Sequence, residues 1–83
     1  MEENKQLICN KMLDLLQTTR YFNNLVSLTY VYNWDDEKHE PINKIFPAEE
    51  YVLAKFNNGY EKYANVSMDS GYAMIKDILK QIA

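Results

Sequence analysis

The sequence predicts an α+β fold of element order α-β-β-β-α, a three-stranded antiparallel sheet with two amphipathic helices packed on one face. Three observations carry this expectation. Apolar residues recur at helical spacing near both ends of the chain, the period falls to two between them, and Asn57-Asn58-Gly59 interrupts the alternation where a hairpin would turn. Eighty-three residues make a single compact domain, 1–83, undivided by any repeat, linker or low-complexity tract. A chain of this length buries only about 60 to 65% of its unfolded surface, so it holds one small core.

The first helix is predicted from about Glu3 to Thr19. Ile8, Cys9, Met12, Leu13, Leu15 and Leu16 fall on one broad face, Asn4, Asn10, Lys11, Asp14, Gln17 and Thr18 on the other, and Leu7 is a minor exception on the polar side. Glu2 and Glu3 suit the positive end of the helix dipole, and Arg20 suits the negative end. After Asn23-Asn24 the pattern becomes a strand. Strict alternation sends Val26, Leu28, Tyr30, Tyr32 and Trp34 one way and Leu25, Ser27, Thr29, Val31 and Asn33 the other. Residues 35–50 then form an acidic connection interrupted by proline, with Ile42, Ile45 and Phe46 expected to tuck it against the body and a short edge strand possible within it.

Comparing side-chain pairs decides the hairpin register. A two-residue Asn58-Gly59 loop sets Lys55 against Lys62 and Phe56 against Glu61. A three-residue Asn57-Asn58-Gly59 loop, with glycine in the left-handed bulge position, instead pairs Lys55 with Glu61, Phe56 with Tyr60 and Leu53 with Tyr63. Each favourable pair contributes about 0.2 to 1 kcal/mol, so the second register is expected. It places Val52, Ala54, Phe56, Tyr60, Ala64 and Val66 on the core face, with Lys62 as a blemish whose stem snorkels to the edge. Tyr51, Leu53, Lys55, Glu61, Tyr63 and Asn65 occupy the other face. The last helix follows with Tyr72, Met74, Ile75, Ile78, Leu79 and Ile82 as its apolar stripe, Lys76, Asp77, Lys80 and Gln81 opposite, and Asp69 or Ser70 as its cap.

Composition narrows the function. A net charge of -3 and a single arginine, Arg20, argue against nucleic-acid binding, which needs clustered cations. Cys9 is the one cysteine, so neither an internal disulfide nor a cysteine zinc cluster can form within one chain. The start of the chain lacks the pattern of a secretory signal, and no apolar run reaches the ~20 residues of a membrane span. A cytosolic setting, bacterial or host, is therefore expected, and the Asn65-Val66-Ser67 sequon carries no weight.

Candidate chemistry is sparse. Asp35-Asp36-Glu37-Lys38-His39-Glu40 is the only cluster of metal-capable side chains, without the spacing of a known metal motif, and a solvated acidic turn explains it equally well. For nucleophilic catalysis the candidates are Cys9 and His39, but Cys9 lies on an apolar helix face, where cysteine behaves as a small hydrophobe. No nucleophile elbow, phosphate loop or dinucleotide fingerprint is present, so no enzymatic activity and no cofactor are expected. The seven tyrosines are more informative. Tyr51, Leu53 and Tyr63, joined by Val31 if the strands are neighbours, converge on the face opposite the core, and tyrosine is enriched at protein contacts because it joins rigid apolar area to a polar tip. The expected function is thus a small interaction module that self-associates as a homodimer or binds a protein partner through that face. The alternative is an acidic inhibitor or nucleic-acid mimic of a phage or mobile element, with Asp35, Asp36, Glu37, Glu40, Glu49 and Glu50 standing in for phosphates of a host enzyme's nucleic acid. Aromatic rings without a basic groove make direct nucleic-acid binding the weakest reading.

Overall fold

A computed structural model describes residues 2–66 and 71–82 and shows α1 (Glu2–Leu16), β1 (Leu25–Tyr32), β2 (Glu50–Phe56), β3 (Glu61–Asn65) and α2 (Gly71–Ile82) in that order. The strands form one antiparallel sheet with β2 in the middle. Both helices lie on the same face, α1 against β1 and α2 against β3, and they touch each other. Between them and the sheet sits the core: Cys9 and Met12 from α1, Leu25, Leu28, Val52, Ala54, Ala64 and Val66 from the sheet side, and Met74, Ile78 and Ile82 from α2. The predicted caps Asp69 and Ser70 and the side chain of Tyr72 lie outside the described residues.

The first helix stops earlier than Thr19 for a local reason. Thr18 and Thr19 donate both their backbone N–H groups and their hydroxyls to the carbonyls of Leu15 and Leu16, tightening the last turn into three-residue steps. Leu15, expected on the apolar stripe, is exposed, while Lys5 is drawn into the buried side in line with Cys9 and Met12.

Strand β1 departs from strict alternation. The pairing runs Tyr30 with Val52, Leu28 with Ala54 and Ser27 with Lys55, then slips so that Leu25 faces Phe56, leaving Val26 as the extra residue of a bulge. Leu25 is therefore buried at 1% exposure and Val26 stands out at 52%, the reverse of the expected assignment. Both residues are apolar, so alternation alone could not choose between them. The backbone is held in this geometry by hydrogen bonds from Leu25 N–H to the Phe22 carbonyl (3.0 Å) and from Asn57 N–H to the Asn24 carbonyl (2.9 Å).

The hairpin has the predicted register, with Lys55 opposite Glu61 and Leu53 opposite Tyr63. Gly59 N–H donates to the Phe56 carbonyl and Phe56 N–H to the Tyr60 carbonyl, and Gly59 has φ +86°, as the bulge position after a type I turn requires. Each open edge of the sheet is met by a glutamine. On β1, Gln6 accepts the Tyr30 N–H through Oε1 (2.8 Å) and donates from Nε2 to the Leu28 carbonyl (3.2 Å). On β3, Gln81 accepts the Asn65 N–H (2.7 Å) and donates to the Asn65 carbonyl (2.9 Å).

Candidate functional site

Alternation and pairing lay the helix-free face out in three rows: Val31, Tyr51 and Asn65; Thr29, Leu53 and Tyr63; Ser27, Lys55 and Glu61. The strand order thus brings together the four residues expected at a protein contact, Val31 beside Tyr51 and Leu53 beside Tyr63. The third row is charged, with Lys55 Nζ 3.7 Å from Glu61 Oε2. The first two rows are largely apolar, and Val31, Leu53 and Tyr63 are half-buried.

The connection between β1 and β2 folds back over the first row. Asn33, just past β1 and 1% exposed, organises it. Its Nδ2 donates to the carbonyls of Asn43 (3.2 Å), Phe46 (3.0 Å) and Ala48 (2.9 Å), and its Oδ1 accepts the Asn43 N–H at 2.6 Å. Asn43 in turn accepts the Ile45 N–H at 3.0 Å and donates to the Tyr51 hydroxyl at 3.4 Å. Phe46 lands on the tyrosines, stacked on Tyr63 with centroids 4.8 Å apart and edge-on to Tyr51 at 5.4 Å, while Tyr51 and Tyr63 are themselves edge-on at 5.2 Å. Such pairs each add about 0.5 to 1.5 kcal/mol beyond the area they bury.

This cluster changes the composition of the face. Tyr51 is only 6% exposed, sealed by its own chain's loop, and it supports Phe46 and Tyr63 from beneath. Ile42 and Ile45, expected to tuck inward with Phe46, are instead exposed, Ile45 at 94%. The loop is anchored by amide hydrogen bonds rather than by its isoleucines, and only Phe46 meets a ring large enough to stack on. No edge strand forms among the described loop residues; there is a single bridge between Asp35 and Glu40. Asn33 and Phe46 were missed as site residues, although an asparagine closing a strand ahead of a long loop is a signal that could have marked the first.

The acidic residues are scattered in role. Asp35 Oδ1 accepts the N–H groups of Glu37 and Lys38 at 3.0 and 3.1 Å, and closes a turn whose last residue, His39, has φ +54°. Asp36 accepts the Tyr32 hydroxyl at 3.2 Å, Glu40 lies 3.3 Å from Lys44, and Glu37 and Glu49 face solvent. Glu50 turns towards the helices, where Lys5 and the Tyr30 hydroxyl both donate to Oε1. Partial burial alone pushes the Glu50 carboxyl up, but the hydrogen bonds from Lys5 and Tyr30 and the charge of Lys5 outweigh it, holding the pKa below the ordinary 4.5. The Lys5 ammonium also sits 5.3 Å from the centre of the Tyr30 ring. Among the described residues no group of three His, Cys, Asp or Glu side chains is placed to hold a metal ion. Cys9 is fully buried, and burial pushes its thiol up to about 11. It stays protonated near neutrality and is a poor nucleophile.

No described helix is long and apolar enough to cross a membrane. No family model, curated protein or solved structure matches the chain.

Proposed function

We propose that this protein is a small non-enzymatic interaction module that pairs with a second copy of itself through the helix-free face of its sheet. One observation carries the reading: Phe46, Tyr63, Leu53 and Val31 share a face that no helix covers, and the loop that lies on it bears Ile45 almost wholly in solvent. Apolar groups left outside the core and clustered on one face are the usual mark of a protein contact. A two-fold interface must be complementary to itself. The row of Lys55 and Glu61 suits this, because a rotated copy can set Lys55 of one protomer against Glu61 of the other. Edge-to-edge pairing of strands is a poorer route, since Gln6 and Gln81 already occupy backbone groups on the two edges. On this reading the module needs no cofactor and works in the cytosol of a bacterium or its host.

The acidic-mimic alternative has less behind it. Asp35 and Glu50 direct their carboxylates to partners within the chain, Asp36 accepts the Tyr32 hydroxyl, and Glu40 pairs with Lys44. Light scattering over a wide concentration range tests the proposal. The wild type should be dimeric, with little change between low and high salt, and Tyr63→Asp should be monomeric with an unchanged circular dichroism spectrum. A wild type that stays monomeric at high concentration would reject self-association, and capture of a basic partner that is lost steeply with salt would favour the mimic.

A further inference from the structure

A pocket of about 410 Å³ opens at the hairpin end of the molecule, away from the Phe46 cluster, between the α1–β1 turn, the hairpin turn, β3 and the end of α2. Tyr21, Phe22, Phe56, Tyr60 and Ile82 supply apolar wall, and Asn24 and Asn58 supply amides. Among the described residues Lys62 is the one charged residue in its lining, and no carboxylate is part of that lining. The volume falls within the ~300 to 1,000 Å³ typical of small-molecule sites, and a mostly apolar lining with a few polar groups is their usual make-up.

The walls are braced by hydrogen bonds. Thr19 Oγ1 accepts the Phe22 N–H at 3.2 Å, Asn57 N–H donates to the Asn24 carbonyl at 2.9 Å, and Asn58 Oδ1 accepts the Tyr60 N–H at 3.0 Å. The second ties the two turns to each other and the other two brace each turn from within, so the backbone around the pocket is preorganised, which lowers the cost of binding. Lys62 belongs to the helix-facing side of β3, opposite Ala54, where an aliphatic residue would extend the core. Its ammonium is placed 5.9 Å from the Tyr60 ring centre, at the aromatic wall, with no described ion-pair partner.

We infer that this pocket binds a small aromatic carboxylate, its ring between Phe22, Phe56, Tyr60 and Ile82 and its carboxylate on Lys62. Charge complementarity selects that occupant: Lys62 is the charged residue among those described in a mostly apolar lining, and a cation so placed favours an anion and penalises a cation. The inference is independent of the dimer proposal, because Tyr63 is not in the pocket lining and Tyr63→Asp should leave binding intact.

Titrations of the full chain with indole-3-acetate, its neutral relative indole-3-ethanol and its cationic relative tryptamine, read by calorimetry and amide NMR shifts, test it. Indole-3-acetate should bind and shift the amides of Phe22, Asn58, Tyr60 and Lys62, about tenfold more tightly than the alcohol, with tryptamine weakest, as the loss of one charge-assisted hydrogen bond implies. Lys62→Met keeps the stem and should erase the preference, whereas Lys62→Arg should keep it. Equal affinity for the three probes, binding to Lys62→Met as tight as to the wild type, or no shift at millimolar probe would each overturn the assignment.

Discussion

Asn33 directs its whole side-chain amide at the backbone of the connection, and the position of Phe46 depends on it. Removing that amide leaves buried carbonyls and the Asn43 N–H without partners, so Asn33→Ala should cost about 2 to 3 kcal/mol in urea denaturation. It should also raise the accessibility of Tyr51 to quenchers, since Phe46 is its cover. Glu50 gives a pH dependence whose sign follows from its shift. The folded carboxyl is more acidic than the unfolded one, so its contribution is complete above the unfolded value near 4.5 and disappears as the pH falls through the folded value. Glu50→Gln should lower stability at neutral pH by about 1 to 3 kcal/mol, because it removes the carboxylate that meets the buried Lys5, and thermal melts of the two proteins should converge as the pH falls below 4.5. Neither residue's role could be read from the sequence. A buried lysine finds its partner 45 positions away, which depends on how the helix is set on the sheet.

The hairpin was legible because its two possible registers differ in several side-chain pairs at once, all favouring the same answer. Gly59 shows why the three-residue loop is obligatory. Nothing lies within 4 Å of where its Cβ would stand, so any penalty for a side chain comes from the backbone at φ +86°. Gly59→Ala should therefore destabilise by about 1 to 2 kcal/mol, and Gly59→Asn by less, as measured by equilibrium denaturation. Strand β1 was legible only in part. Tyr30 and Leu28 were placed correctly, but the neighbouring apolar pair Leu25 and Val26 satisfies either phase, and the bulge that chooses Leu25 arises from the turn packed behind it. The loop repeats this lesson: Ile42, Ile45 and Phe46 look alike in a hydrophobic pattern, and ring stacking on Tyr63 selects one of them.

Taken whole, the molecule is a helix layer on a three-stranded sheet, with the opposite sheet face closed at one end by its own loop and open elsewhere. The order of elements followed from the sequence, whereas the shared side of the helices was only its simplest arrangement, because the long connection between β1 and β2 leaves the strand order open. The edges did not follow, because a glutamine on a helix carries no mark of what it bonds. Gln6 and Gln81 each stand where the backbone of a further strand would be, so replacing both with leucine should promote concentration-dependent aggregation with a thioflavin response, while either single change should have a smaller effect. Since each glutamine belongs to a terminal helix, the rim protons of the sheet become gauges of those helices. The amide hydrogens of Tyr30 and Asn65 should exchange with deuterium at the pace at which α1 or α2 lifts away, so two signals at the margins of the molecule time the detachment of its ends.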